Sequence, residues 1–156
     1  QRGEKGTMKK VRVGTGTPWE KQYGYARALR LGSVVAVSGT VAADDAGRAV
    51  ADDAYGQTRA ILSRIGEALE RTGARLADVV RLRVYHADPA VGDGFGRALA
   101  EIFPYGAPAL TAVRVAALSS PDFLLEIEAD AVVDNERDND DHDDDERRRY
   151  WDEGGD

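Results

Sequence analysis

The sequence predicts an α+β domain made of one mixed sheet with two helices packed on a single face. Three observations lead there. Several short segments are rich in β-branched residues or alternate in polarity, as strands do. Two further segments repeat apolar residues at helical spacing, and the two kinds follow each other as β-β-β-α-β-α-β-β. Two helices can cover one sheet face only, so the other must meet solvent or a partner.

Residues 9–13 and 25–31 read as short strands around a Gly/Thr/Pro segment, and SVVAVSGTVA (33–42) as a third strand. The DDAGR turn that follows suits a hairpin. Asp52 or Asp53 can cap the first helix, whose Ala54, Thr58, Ile61, Leu62, Ile65 and Leu69 recur on one side until Gly73 stops it. VVRLRVYHA (79–87) alternates as a strand. Asp88 and Pro89 supply a cap and a first-turn proline for a second helix running through Leu99, Ile102 and Phe103, ended by Pro104 and Gly106. GDGFG (92–96) lacks the third glycine and the Lys-Ser/Thr of phosphate loops, and is expected to loosen that helix's first turns. ALTAVRVAAL (109–118) and FLLEIEADAVV (123–133) complete the sheet across a Ser-Ser-Pro-Asp turn.

Length bounds the chain to one domain: 156 residues. Residues 1–7 read as an N-terminal extension or tag ahead of Met8, 8–133 as the domain, and 134–156 as an acidic, disordered tail. The absence of cysteine excludes disulfides, thiolate zinc sites and thiol nucleophiles. No apolar run reaches the roughly 20 residues that span a bilayer, so a cytoplasmic protein without membrane contact is expected. The net charge of −7 is misleading until it is located. Residues 134–156 hold twelve acidic and four basic side chains, which leaves seventeen basic and sixteen acidic in the body. A near-neutral body without a basic stripe argues against nucleic acid as a partner.

Strand alternation places Arg81, Arg83 and Tyr85 on the helix-free face, and the same reading puts Leu110, Ala112 and Arg114 there, with Leu124, Glu126, Glu128 and Asp130 from the last strand. Such a face is either an ordinary solvated surface or a subunit interface with matched charges. In the second case Arg81, Arg83, Arg114 and Glu128 are the interface residues.

The chain resembles the Rid family, also called YjgF-like proteins. The matching pieces are Gly24-Tyr25 before a strand, VAVSGT (35–40), the Gly47 hairpin, LADVVRLRVYHAD (76–88), PALTAVRVAAL (108–118) and LEIEADAVV (125–133). This resemblance implies a chorismate-mutase-like fold and a homotrimer. It also implies intersubunit clefts that bind a small metabolite, typically an imine or enamine that is hydrolysed without metal or organic cofactor. Retained positions are Tyr25, Ser38, Gly39 and Glu126. Typical deaminases carry an arginine directly after Pro-Ala to clamp the substrate carboxylate; here Leu110 follows Pro108-Ala109, and Gly96 stands where they carry asparagine. A charge-assisted hydrogen bond contributes about 1.5–3 kcal/mol, so anionic substrates should bind about a hundredfold more weakly or worse.

The expected substrate-binding set is therefore Tyr25, Arg27, Ser38, Gly39, Leu110 and Ala112, with Glu126 as the water- and proton-handling catalytic residue. Arg114 stands about 13 Å from Leu110 along the strand, too far to replace the missing clamp. Arg27 shares a face with Tyr25 and either anchors a different anion or pairs with a neighbouring carboxylate. Glu126 is either a general base with a raised pKa or an ionised partner of Arg83 or Arg114. Ser38 lacks a patterned histidine and suits close backbone packing better than nucleophilic attack. The competing functional class is a non-catalytic trimeric metabolite-binding or regulatory module. An endoribonuclease, an activity ascribed to some relatives, is the weaker third.

Overall fold

The computed structural model describes residues 8–134, so the expected extension at 1–7 and, apart from Asp134, the expected tail at 134–156 lie outside the described residues. Its strands are β1 (Lys10–Val13), β2 (Ala28–Leu31), β3 (Val34–Thr40), β4 (Val79–His86), β5 (Ala109–Arg114) and β6 (Leu125–Val132). Its helices are α1 (Pro18–Tyr23), α2 (Ala54–Glu70) and α3 (Gly92–Ile102). They make one mixed sheet in the order β1-β2-β3-β6-β4-β5. Every pairing is antiparallel except β4 with β5, which are parallel because α3 carries the chain back across the sheet.

Helix α2 forms where the periodicity placed it. Asp53 caps it by accepting from Gly56 N, and Gly73, at φ 83°, turns the chain away after its end. Ile61, Leu62, Ile65 and Leu69 are fully buried in one apolar core with Val35, Leu82, Val84, Leu125 and Ile127 of the sheet. Each such side chain contributes about 1.5–3 kcal/mol by leaving water. Gln57 is also fully buried, and it ties α2 to the entry of β6. Its Nε2 donates to the Ala51 and Asp122 carbonyls (2.9 and 2.8 Å), and its Oε1 accepts from Leu124 N at 2.9 Å.

Three expectations need correction. The Gly/Thr/Pro segment contains α1, a helix too short to show periodicity, which delays β2 until Ala28. GDGFG does not loosen its helix. A side chain at Gly94 would come within 2.8 Å of Tyr55 N, so glycine there lets α3 approach the start of α2 closely. The third concerns faces. Residues paired across a ladder share a face, and β4 pairs with β5 as Leu82–Leu110, Val84–Ala112 and His86–Arg114. Leu110, Ala112 and Arg114 therefore lie on the helix-bearing side, while Ala109, Thr111 and Val113 share the open face with Arg81, Arg83 and Tyr85. Leu124 likewise leaves the open face: it precedes β6 and packs against the core.

On β4 and β6 the reading by alternation agrees with the register. Arg81, Arg83 and Tyr85 stand opposite Asp130, Glu128 and Glu126 on the helix-free face. Among the described residues no helix is long and apolar enough to cross a membrane.

Candidate functional site

The site is built around a break in β3. Its pairing with β6 runs regularly from Val34 to Val37, shifts by a bulge, and resumes with Thr40 opposite Ile127. Bulges re-aim side chains and recur beside functional sites. Here the bulge brings Gly39 against the end of β6 that carries Glu126. A Cβ on Gly39 would land on Glu126 Oε1, with Cδ only 3.1 Å away, so the missing side chain is the space the carboxyl group occupies.

Burial raises the pKa of Glu126; the nearby Arg27 charge opposes this, and Glu128 adds to it. Neither arginine expected as its partner takes it. Arg83 Nη1 instead reaches Asp130 Oδ2 at 3.1 Å and Glu128 Oε1 at 3.7 Å. Arg114 is on the other face of the sheet. Arg83 and Arg114 are therefore not its ion-pair partners, and Glu126 stands half-buried with Arg27 as the nearby cation. Tyr85, across the ladder from Glu126, donates its hydroxyl to Glu128 Oε1 at 2.7 Å. That hydrogen bond, followed by burial and the Glu128 charge, raises the tyrosine pKa.

Arg27 closes the cluster. Its Nη1 donates to the Gly39 carbonyl (2.7 Å) and to Thr40 Oγ1 (3.2 Å), and its Nη2 lies 3.5 Å from Tyr25 Oη. The guanidinium carbon stands 5.7 Å from the Tyr25 ring centroid, a cation–π distance. Its Nε faces Glu20 Oε1 at 3.3 Å, so of the two readings of Arg27 the structure has the carboxylate partner. Ser38 donates its hydroxyl to the Ala26 carbonyl at 2.7 Å, which fits a packing role.

Glu20 is the residue that sequence reasoning missed. It is buried, and it accepts from Thr15 N (2.8 Å), Thr15 Oγ1 (2.7 Å) and Gly16 N (3.2 Å) as well as from Arg27. Burial alone would raise its pKa, but the Thr15 hydrogen bonds and the Arg27 contact outweigh that and lower it. A signal was present: Thr17-Pro18-Trp19-Glu20 has the Thr-x-x-Glu spacing of a capping box with proline at the first helical position.

Tyr25, Arg27, Ser38, Gly39 and Glu126 thus come together within one chain. Leu110 and Ala112 do not join them. They lie two strands beyond β6, roughly 10 Å at ordinary strand spacing, and face the opposite way. A hollow of about 450 Å³ between α2 and the 41–50 hairpin shares only Arg27 with the cluster.

The class is now defined: a one-sheet α+β domain with an uncovered face and, at a strand bulge, a half-buried acid beside glycine, arginine and tyrosine. A family model described as Endoribonuclease L-PSP matches residues 18–133, and the chain belongs to that family, the Rid or YjgF-like proteins. It is similar to the crystal structure of a YjgF-family member from Mycobacterium tuberculosis, at 41% identity and TM-score 0.73 over 80% of this chain and 100% of that one. An uncharacterized protein of Streptomyces coelicolor is 33% identical over 77% of this chain and 90% of its own length. The chloroplastic Reactive Intermediate Deaminase A of Arabidopsis thaliana is 30% identical over 60% of this chain and 51% of its own.

Proposed function

We propose that the protein is a cytoplasmic homotrimer whose intersubunit clefts bind and hydrolyse a small imine or enamine without metal or organic cofactor. The observation that supports this most is Glu126, an acid held above its ordinary pKa by burial and given room by Gly39. A carboxylate whose pKa is raised is a stronger base than an exposed one and takes a proton from water more readily. In the reaction, water adds to the C=N carbon while Glu126 takes one of its protons. That proton passes to nitrogen to give a carbinolamine, whose hydroxyl proton then also moves to nitrogen as the C–N bond breaks, leaving a carbonyl compound and ammonia. The Arabidopsis relative's name supports the reaction class.

Assembly is part of the reading. Leu110 and Ala112 could share a cleft with Glu126 only if another copy contributed them, since one chain holds them apart. An open sheet face carrying Arg81, Arg83 and Glu128 suits such an association.

The test couples an amino-acid oxidase, which generates imines in situ, to measurement of ammonia release. The expected result is acceleration by the protein and loss of about a hundredfold or more of it in Glu126→Gln. No acceleration across acidic, neutral and basic imines would overturn the enzyme reading. Leu110 favours a second reading, a non-catalytic metabolite-binding module, because it lacks the charge to clamp a carboxylate. Thermal stabilisation by a metabolite without ammonia release would select it. Light scattering on the eluting protein tests the trimer separately.

A further inference from the structure

Glu20 and Arg27 satisfy each other, yet their position makes them more than a surface pair. Both are largely removed from solvent, with 7% and 13% of their side chains exposed. The carboxylate is fixed from behind by three donors of residues 15 and 16. The guanidinium is thereby aimed forward, where it grips the Gly39 carbonyl and Thr40 Oγ1 at the point where β3 departs from regular pairing. The same bulge leaves room for Glu126. A planar fork held on one side and donating on the other has little freedom, which is why arginine rather than lysine suits this position.

We propose that Glu20 and Arg27 are positioning residues for Glu126: Glu20 fixes the guanidinium, and the guanidinium locks the Gly39–Thr40 bulge and presents a constant positive charge to the acid. The inference rests on the reading of Glu126 as the proton-handling group, but its structural half can be tested apart from activity. The charged and titratable groups around Glu126 are Arg27, Glu128 on its own strand and Tyr85 on β4. Arg83 is committed to Glu128 and Asp130. Of these, Arg27 is the one whose charge favours the ionised acid. Removing it must therefore move the Glu126 titration toward higher pH, the direction opposite to removal of Glu128.

The experiment follows the Glu126 carboxyl carbon by NMR across pH in the wild type, Arg27→Gln and Arg27→Lys, with Glu126→Gln assigning the signal. In Arg27→Gln the midpoint is expected to rise. The acidic limb of the pH–rate profile should rise with it, and kcat should fall about tenfold or more, the loss of one charge-assisted contact. Arg27→Lys, which keeps the charge but not the fork, should restore much of the midpoint and little of the rate. An unmoved midpoint in folded Arg27→Gln would overturn the proposal. A midpoint that moves while the rate limb stays put supports the positioning and instead removes Glu126 as the base. Should Arg27→Gln fail to fold, Glu20→Gln serves, since the amide keeps its size. Faster deuterium exchange at the Gly39 and Thr40 amides is then expected, and unchanged exchange sinks the idea.

Discussion

The two faces of the sheet solve opposite problems. On the helix-bearing face the strands present Val35, Leu82, Val84, Leu125 and Ile127, all buried, and the buried polar side chains of α2, Gln57 and Thr58, both have hydrogen-bond partners. On the open face Arg83, Glu128, Asp130 and Tyr85 neutralise one another across strands while remaining wet. The covered face holds the fold together through area removed from water. The open face contributes little stability, because exposed ion pairs contribute about 0–1 kcal/mol. What it offers is a surface where an acid such as Glu126 can be held off its ordinary titration.

That contrast can be broken at graded cost. Leu62→Ala should destabilise the domain by about 2–5 kcal/mol, read as a lower denaturant midpoint, because a cavity opens where nothing can collapse easily. Gln57→Leu keeps the volume but leaves two carbonyls and one amide without partners, so about 1–3 kcal/mol should be lost in the same assay. Gly39→Ala should separate stability from function. The group it displaces is the tip of a flexible glutamate, so unfolding should shift by less than about 1 kcal/mol. Imine hydrolysis should nevertheless fall about tenfold or more as the carboxyl group moves. Arg83→Met should change stability by no more than about 1 kcal/mol, and by less in high salt.

The smallest effect carries a sign. Glu126 titrates above its ordinary 4.5 in the folded chain. Well below 4.5 the acid is neutral in both folded and unfolded states and costs nothing. As pH rises the unfolded chain ionises first, so the fold loses stability until pH passes the raised folded value. Glu126→Gln should therefore raise Tm slightly at neutral pH and leave it unchanged near pH 3, in thermal melts of the two proteins. An identical difference at both pH values would count against a buried acid.

Much of the site was legible because its parts lie in strongly patterned segments. Alternation in β4 and β6 places Arg83, Tyr85, Glu126 and Glu128 correctly, since one side of each strand is plainly apolar. VAVSGT marks Ser38 and Gly39, and Tyr25 and Arg27 lie just ahead of the neighbouring strand β2, so four of the five clustered residues besides Glu20 come from adjacent stretches. Glu20 was hidden because α1 has only six residues, less than two turns, which leaves no periodicity to read.

The sequence by itself determined the order of the six strands with α2 and α3, the face that α2 buries, and the family. Tertiary structure alone decided which way β5 turns. All six of its residues are exposed, so neither side of the strand carries the apolar signature that would orient it. Its register with β4 is set instead by the α3 crossover, and a slip of one residue would exchange the faces. The pairing of Arg27 with Glu20 was decided the same way, because contact between a short helix and a strand bulge depends on where the chain returns in space.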